Sequence, residues 1–223
     1  RTDDGGARVY GELHAAIASG TVENAAVAIR GGLTFVKDGA GTFVAKVANQ
    51  YYTGGTVVSG GTFICGVSPS NATPLGPQDS SAITVYAEGT LDLNGITGME
   101  KYALVLAGGT LQNSGADNAT IGSFTMTDDS KINFPDVGGG KNDIKVVANT
   151  VWNLGGKLLT ITFGGSDPDL FFQNTPVTIR NGTVKTTGSG FFNDQTGIDA
   201  SDNVTYDFRG VNMRQQADAK VFN

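Results

Sequence analysis

Carboxylates are the residues of this sequence that could most directly do chemistry, because glycoside hydrolysis needs two of them facing one sugar, about 5 to 9.5 Å apart. The candidates are Asp128, Asp129, Asp143, Asp167 and Asp169. Asp128 and Asp129 are adjacent, so in a strand they would point to opposite faces. Asp167 and Asp169 flank a proline in a predicted turn, where aspartate ordinarily bonds to its own backbone. We therefore predict no catalytic residues, and a polysaccharide lyase or hydrolase is the alternative.

Metal-assisted chemistry would need several carboxylates on one face, because calcium takes six to eight oxygen ligands. The residues that could supply them are Asp92, Asp117, Asp129 and Asp143. Whether they share a face depends on how the chain is stacked, which the sequence leaves open. Tandem Gly-Gly-x-Gly-x-Asp nonapeptides, the calcium-binding repeat of some β-helices, do not occur. We predict neither a metal site nor a cofactor.

Cys65 is the only cysteine and His14 the only histidine. One cysteine excludes an internal disulfide and a zinc site built from thiolates. A catalytic cysteine would need the histidine beside it, but His14 falls in a predicted terminal cap. Because free cysteine packs as a small hydrophobic residue, we predict that Cys65 is a buried structural thiol.

Aromatic pairs offer a second kind of site, one for binding. They are Tyr51-Tyr52, Phe171-Phe172 and Phe191-Phe192. In a strand one member of each pair faces the core and the other faces solvent, so each pair leaves a ring that could contact a sugar or a protein. The candidate binding residues are Tyr52, Phe172 and Phe192. The alternative is that these rings pack beneath a loop.

Composition and charge exclude two classes of function. The chain has 223 residues and a net charge of −6, and it has no cluster of Lys and Arg, so it is not predicted to bind nucleic acid. No apolar run approaches the ~18 residues of a transmembrane helix. Glycine, at 33 residues, is abundant, and Thr, Asn and Ser fill many polar positions. This composition is typical of extracellular bacterial β-structures.

The elements that must position these residues follow from a recurring phrase, a glycine, then Thr or Lys, then an apolar residue. The residue after the glycine, or its equivalent Lys131, stands at positions 42, 62, 90, 110, 131, 157 and 183. A repeat of roughly 20 to 28 residues cannot bury its apolar face alone, but stacked coils pair strand on strand and share an interior. We therefore predict an all-β fold, a parallel β-helix in which the apolar residue of each phrase points inward.

The start of the chain is predicted to differ from the rest. Residues 1–30 are assigned to an N-terminal cap and residues 31–223 to the β-helix. Leu13, Ala16 and Ile17 have helical spacing, which predicts a short helix or an irregular cap over the first open edge, and Ala25 to Ile29 could form a strand. Because the sequence starts at Arg1, we expect it to be part of a longer chain.

The phrases between Leu33 and Gly95 resemble the autotransporter-associated β-strand repeat, also called the passenger-associated transport repeat. The matching residues are Lys37, Gly39, Gly41, Thr42, Tyr52, Gly54, Gly55, Thr56, Gly60, Gly61, Thr62, Leu91, Asn94 and Gly95. The resemblance implies a right-handed β-helix in a secreted or cell-surface bacterial protein associated with the outer membrane. It also implies a passenger that acts as an adhesin or a structural stalk.

The leading hypothesis is therefore a non-catalytic adhesion or stalk module whose partners would be host or matrix glycans or proteins. The alternative is a glycan-binding or glycan-degrading β-helix. A third hypothesis is a spacer without a ligand of its own.

Overall fold

The protein is a parallel β-solenoid, as the sequence predicts. The computed structural model describes residues 11–66, 72–78, 82–115, 117–137, 142–147, 150–164, 169–172, 177–188, 191–194, 198–207 and 212–215. For residues 169–172, 177, 191–194, 198–204, 206–207 and 212–215 it describes the backbone alone.

The described elements are almost all strands. In chain order they are β1 (Glu12–Ala16), β2 (Val22–Ala25), β3 (Arg30–Gly31), β4 (Thr34–Asp38), β5 (Thr42–Ala45), β6 (Tyr51–Tyr52), β7 (Thr56–Cys65), β8 (Ala82–Asp92), β9 (Ala103–Ala107), β10 (Thr110–Gln112), β11 (Ala119–Ile121), β12 (Phe124–Asp128), β13 (Ser130–Phe134), β14 (Ile144–Val146), β15 (Val151–Phe163), β16 (Asp169–Phe172), β17 (Val177–Gly188), β18 (Phe191–Asp194), β19 (Ile198–Asp207) and β20 (Asn212–Gln215). A turn of 3-10 helix, Met99–Lys101, lies between β8 and β9. Within the described ranges no helix is long and apolar enough to cross a lipid bilayer.

The strands stack into three faces. The first face holds β1, β4, β9, β12 and the first parts of β7, β8, β15, β17 and β19. The second face holds β2, β5, β10, β13 and the last parts of the same long strands. The third face holds β3 paired with β6, and the run β11-β14-β16-β18-β20. Every pairing between these strands is parallel, so each coil is hydrogen-bonded to the coil before and after it. The right-handed sense of the coil stays a prediction.

The repeated phrase marks the corner between the first and second faces and sets the register there. Thr42 pairs with Thr62, Thr62 with Thr90, and Thr90 with Thr110, which in turn pairs with Lys131. The residues that follow them are buried: Phe43, Phe63, Leu91, Leu111 and Ile132. The predicted period and the predicted inward side are confirmed over these five coils.

The register departs from the prediction in the next coils. Lys131 pairs with Thr160, three residues beyond the predicted Lys157, and Thr160 pairs with Lys185, two residues beyond Thr183. An odd shift exchanges the two sides of a strand, whereas an even shift does not. Leu158 is accordingly only half-buried, while Val184 is fully buried as predicted. The corner in β15 is longer by one residue than the corner before it, since Asn153 to Leu159 is six steps (159 − 153) and their partners Thr125 to Ser130 are five (130 − 125).

The first described coil is made of strands. Of the two predictions for residues 11–20, a short helix or an irregular cap, the helix is wrong, since β1 pairs in parallel with β4 over all five of its residues. The strand expected near Ala25 ends there, as β2, and pairs with β5. Glu23 pairs with Phe43 and so occupies the inward column of the second face, and it is exposed in this first described coil. The division into a cap and a β-helix at residue 30 stays a prediction.

A continuous apolar core runs inside the three faces from Ile17 to Val184. Its first coils are aromatic: the Phe35 ring centroid lies 4.9 Å from that of Phe43 and 5.7 Å from that of Tyr52. Further along, Phe124 and Trp152 approach to 4.8 Å. Such ring pairs stabilise a core beyond their buried area.

Candidate functional site

Lys37, the first residue of the repeat phrase, is completely buried at the corner between the first and second faces. It pairs with Val58, so it occupies an inward-facing column of the first face. Its Nζ donates to the carbonyl oxygens of Asp38 at 2.8 Å, Gly39 at 2.9 Å and Gly60 at 2.8 Å, which uses all three ammonium hydrogens. Burial lowers the pKa of Lys37, and the nearby Asp38 carboxylate acts in the opposite direction. The side chain joins two successive coils at the corner.

Tyr52 is the second polar residue of the phrase that lies inside. Its hydroxyl is 2.6 Å from Thr56 Oγ1, and the Thr56 hydroxyl donates to the Leu75 carbonyl at 3.0 Å, so Tyr52 is the donor of the first bond. Tyr102, two coils further along, donates to the Gly76 carbonyl at 2.7 Å, so the two tyrosines reach the same turn from opposite sides. Burial raises the pKa of both phenols. Both tyrosines fix the turn before the first face.

The predicted binding role of Tyr52 is not supported by its position. Its side chain is 1% exposed, while Tyr51 is 44% exposed. The alternation of the pair is as predicted, but the solvent-facing member is Tyr51. The Tyr51 ring is covered on one side by Arg30, whose Cζ lies 4.1 Å from the ring centroid.

Phe172 and Phe192 are placed by their backbone alone. Phe172 pairs with Val146, and Phe192 pairs with Leu170, which pairs with Ile144. Val146 and Ile144 are both fully buried. The side chains of Phe172 and Phe192 lie outside the described part of the structure, and their predicted binding role stays a prediction.

Buried asparagines occupy the turn before the third face. Asn113 Nδ2 donates to the carbonyls of Asp117 and Asp143 at 3.0 and 3.1 Å, and its Oδ1 accepts from Gly95 N at 2.7 Å. Asn142, one level further along, donates to the Asn113 carbonyl at 2.9 Å. These amides supply donors to carbonyls of buried turns, where polar backbone groups need partners; the Asp143 carbonyl also accepts from Ala119 N.

Asp92 is a buried carboxylate whose two oxygens are occupied by hydrogen bonds. Oδ1 accepts from the backbone N–H groups of Asn94 and Ser114, each at 3.0 Å. Oδ2 accepts from Gln112 Nε2 at 2.7 Å and from the Ser114 hydroxyl at 2.5 Å. This series of hydrogen bonds continues into the following coil, where Gln112 Oε1 accepts from Asn133 Nδ2 at 3.3 Å. The carboxylate holds the exit of β8 and joins it to the next two coils.

Cys65 and His14 are not brought together. Cys65 is fully buried at the inner side of β7, where burial, and secondarily the Asp92 carboxylate, raise the pKa of its thiol. His14 lies on the outer side of β1, with its Nε2 2.9 Å from a carboxylate oxygen of Glu12. The cysteine is therefore structural, as predicted.

The remaining candidate carboxylates lie at corners. Asp128 accepts from Asp129 N at 2.9 Å, and Asp129 accepts from Leu158 N at 2.9 Å. The first bond is local, as predicted for an aspartate at a turn, whereas the second joins the corner to the next coil. Asp169 is described by its backbone alone, and Asp167 lies outside the described residues.

The four possible calcium ligands are spread over the coils. Asp92 lies at the end of β8, and Asp129 lies at the corner between β12 and β13. Asp117 and Asp143 are linked through their backbone carbonyls, which both accept from Asn113. Among the described residues, no group of three His, Cys, Asp or Glu side chains could hold a metal ion.

Comparisons with protein-family models, with curated proteins and with solved structures give no significant match. The resemblance to the autotransporter-associated repeat therefore rests on the residues quoted above, and the role that it implies is taken up as a proposal.

Proposed function

We propose that this chain is a non-catalytic β-solenoid module of a secreted or surface-displayed bacterial protein of the autotransporter-passenger type. In it the chain acts as an adhesion or structural stalk. The observation that carries the proposal is the use of the repeat residues: Lys37, Tyr52 and Thr56 all bind backbone or one another inside the solenoid. A phrase used for stacking fits a module selected for its length and stability.

The stacking also suits passage of the chain through a membrane. Each coil pairs with its predecessor in register, as Thr62 does with Thr42 and Thr90 with Thr62. In solenoids a repeat contacts only its neighbours, so folding can propagate from coil to coil. A segment of this kind can fold progressively as it emerges, without contacts to residues still on the other side.

The absence of catalysis is part of the proposal and is supported by the state of the carboxylates. Asp92 makes four hydrogen bonds to its own turn and the next coil, and Asp129 is bonded to the backbone of Leu158. A general acid or base must be within reach of a substrate proton, which the buried Asp92 is not.

Surface display tests the passenger role. The chain would be placed between a signal peptide and a heterologous outer-membrane translocator, and its arrival at the cell surface measured by antibody binding to intact cells. We expect display of a protease-resistant chain, and weaker display of Lys37→Met than of the exposed control Lys46→Met. Failure of the wild-type chain to reach the surface, with normal display of a known passenger, would contradict the proposal.

Catalysis is tested separately with the purified protein. Incubation with pectin, alginate, hyaluronan and mucin glycans should release no product over background. Sustained product release from any of them would establish the polysaccharide-active alternative instead.

A further inference from the structure

In β11 and β14, the first two strands of the longer run on the third face, buried and half-buried residues alternate. In β11, Ala119 and Ile121 are buried and Thr120 is half-buried; in β14, Ile144 and Val146 are buried and Lys145 is half-buried. Since successive side chains of a strand lie on opposite faces, one outer column of the solenoid passes through Thr120 and Lys145.

The register continues this outer column into the later coils. Lys145 pairs with Phe171, Phe171 with Asn193, and Asn193 with Arg214. Phe172 and Phe192, by contrast, stand in the columns of Val146 and Ile144. Of each Phe-Phe pair, the first member therefore has the register position of the outer side.

A second column of the same parity lies two residues earlier along each strand. It consists of Asp169, Phe191 and Asn212, which pair in that order. Phe171 and Phe191 are thus diagonal neighbours on adjacent strands, about 8 Å apart by the standard spacings of a parallel sheet. Asparagine, aspartate, lysine and arginine occupy the positions around them.

These residue types are those that recognise a carbohydrate. Aromatic rings offer flat apolar surfaces, which match the C–H faces of pyranose rings. A carboxylate, as at position 169, can accept hydrogen bonds from sugar hydroxyls, and an amide, as at positions 193 and 212, can both donate and accept them. The positive charges of Lys145 and Arg214 are accompanied by the negative charge of Asp169, so the surface does not select strongly for an anionic ligand.

The size of this surface also favours a sugar over a protein. Four strands about 4.8 Å apart span roughly 14 Å, and two residues along a strand span about 7 Å. The resulting area, on the order of 100 Å², falls far short of the roughly 800 Å² per partner of a stable protein interface. It is large enough for a few sugar units.

We propose that the outer columns of β14, β16, β18 and β20, centred on Phe171 and Phe191, form a binding site for a neutral oligosaccharide. Through this site the module proposed above would bind a carbohydrate. The inference does not depend on the stalk role or on the route of export.

The test measures binding of the purified chain to an array of neutral glycans, namely cello-, malto-, chito-, manno- and galacto-oligosaccharides, beside uronate-containing and sialylated ones. Hits are then titrated by calorimetry. We expect binding to at least one neutral class, and a loss of affinity of about tenfold or more in Phe171→Ala and in Phe191→Ala, since aromatic anchors dominate small binding sites.

The matched control is Tyr86→Ala, which removes a ring that is 48% exposed on the first face and should leave affinity within about twofold. Asn193→Ala serves as a second, less disruptive variant, and the melting temperature of each variant verifies folding. Silence of the wild-type chain on every neutral glycan at millimolar concentration would overturn the proposal. So would binding of acidic glycans alone, or unchanged affinity in folded Phe171→Ala and Phe191→Ala.

Discussion

The ammonium of Lys37 shows how a charge is accommodated inside a solenoid. Taking an ammonium out of water costs several kcal/mol, and hydrogen bonds to a charged group return about 1.5 to 3 kcal/mol each. Three such bonds to carbonyl oxygens, two in its own coil and one in the next, can offset the cost. The carbonyls point into the corner because the backbone turns there.

Replacement of Lys37 by methionine should therefore destabilise the protein more than the loss of an ordinary lysine. We expect the free energy of unfolding to fall by about 2 to 4 kcal/mol, because buried acceptors lose their donor; the Asp38 carbonyl retains a bond from Ile17 N. Lys46→Met, at an exposed position, should change it by about 0.5 kcal/mol or less. Denaturant unfolding of both variants measures the difference, and equal midpoints would contradict the role assigned to Lys37.

Burial of Cys65 predicts both its reactivity and a pH dependence. In the folded protein the thiol should resist a thiol reagent at about pH 9, where a free cysteine is largely thiolate, and react once the chain is unfolded. Because its pKa is raised in the folded state, the unfolded chain ionises first and stability falls as pH rises above about 8.5.

Tyr52 and Tyr102 should add to this loss of stability above about pH 10 by the same mechanism. The control is Cys65→Ala, in which the decline between about pH 8.5 and 10 should be shallower. Rapid labelling of the native protein, or the same slope in Cys65→Ala, would show that the thiol is not held neutral.

At the level of elements, the corner between the first and second faces sets which side chains face inward. Gly61 adopts φ +62°, and a Cβ there would overlap the Gly41 carbonyl oxygen of the preceding coil. That carbonyl accepts the Thr62 N–H at 3.1 Å. The two coils approach each other closely at this glycine.

Gly61 and Gly156 both lie at corners between the first and second faces, so their alanine variants can distinguish the cost of backbone strain from the cost of steric overlap. Gly156 has φ +80° but no atom within 4 Å of a Cβ built on it. Gly156→Ala should cost about 1 to 2 kcal/mol, the penalty of a left-handed alanine. Gly61→Ala should cost about 1 to 3 kcal/mol more, through overlap with the neighbouring backbone. Unfolding by denaturant compares the two, and an equal loss would mean that the coils can move apart.

The sequence predicted the strand register at this corner wherever the repeat phrase is regular. The predicted register is wrong where the corner is longer. From Thr42 to Lys131 the phrase gives the pairing residue by residue. At Gly155 and Gly156 the backbone follows a longer path, and position 157 no longer has the parity of position 131. The spacing of the phrase gives only the number of residues between strands, whereas the strand register also depends on the backbone conformation at the corner.

The polar interior was harder to predict than the corners. Asp92 ends β8 and Asn113 follows β10, and such residues resemble ordinary turn caps in sequence. Their burial arises because the turn of one coil is covered by the next, a contact between residues about 20 to 30 positions apart. The alternation of Tyr51 and Tyr52 was predictable; which of the two faces solvent required the register.

At the scale of the whole molecule, stacked coils predict local rather than uniform unfolding. Repeats that contact only their neighbours need not unfold together. In Lys37→Met, we expect Cys65 to become reactive at a denaturant concentration at which Trp152, buried several coils away, still has its native fluorescence. Lys46→Met should show the two probes changing at more similar concentrations. Coincident transitions in Lys37→Met would mean that the solenoid unfolds as one unit.

The column of threonines at 42, 62, 90 and 110 has a consequence for how the length of such a solenoid can change. Because these coils present the same residue type at the same place, a duplicated coil would meet above and below it the partners that the original met. Insertion of one such unit would lengthen the protein by about 4.8 Å and leave the core columns aligned. In-frame duplication of a coil is therefore a simple route by which a gene could lengthen the solenoid while its inward and outward residues keep their register.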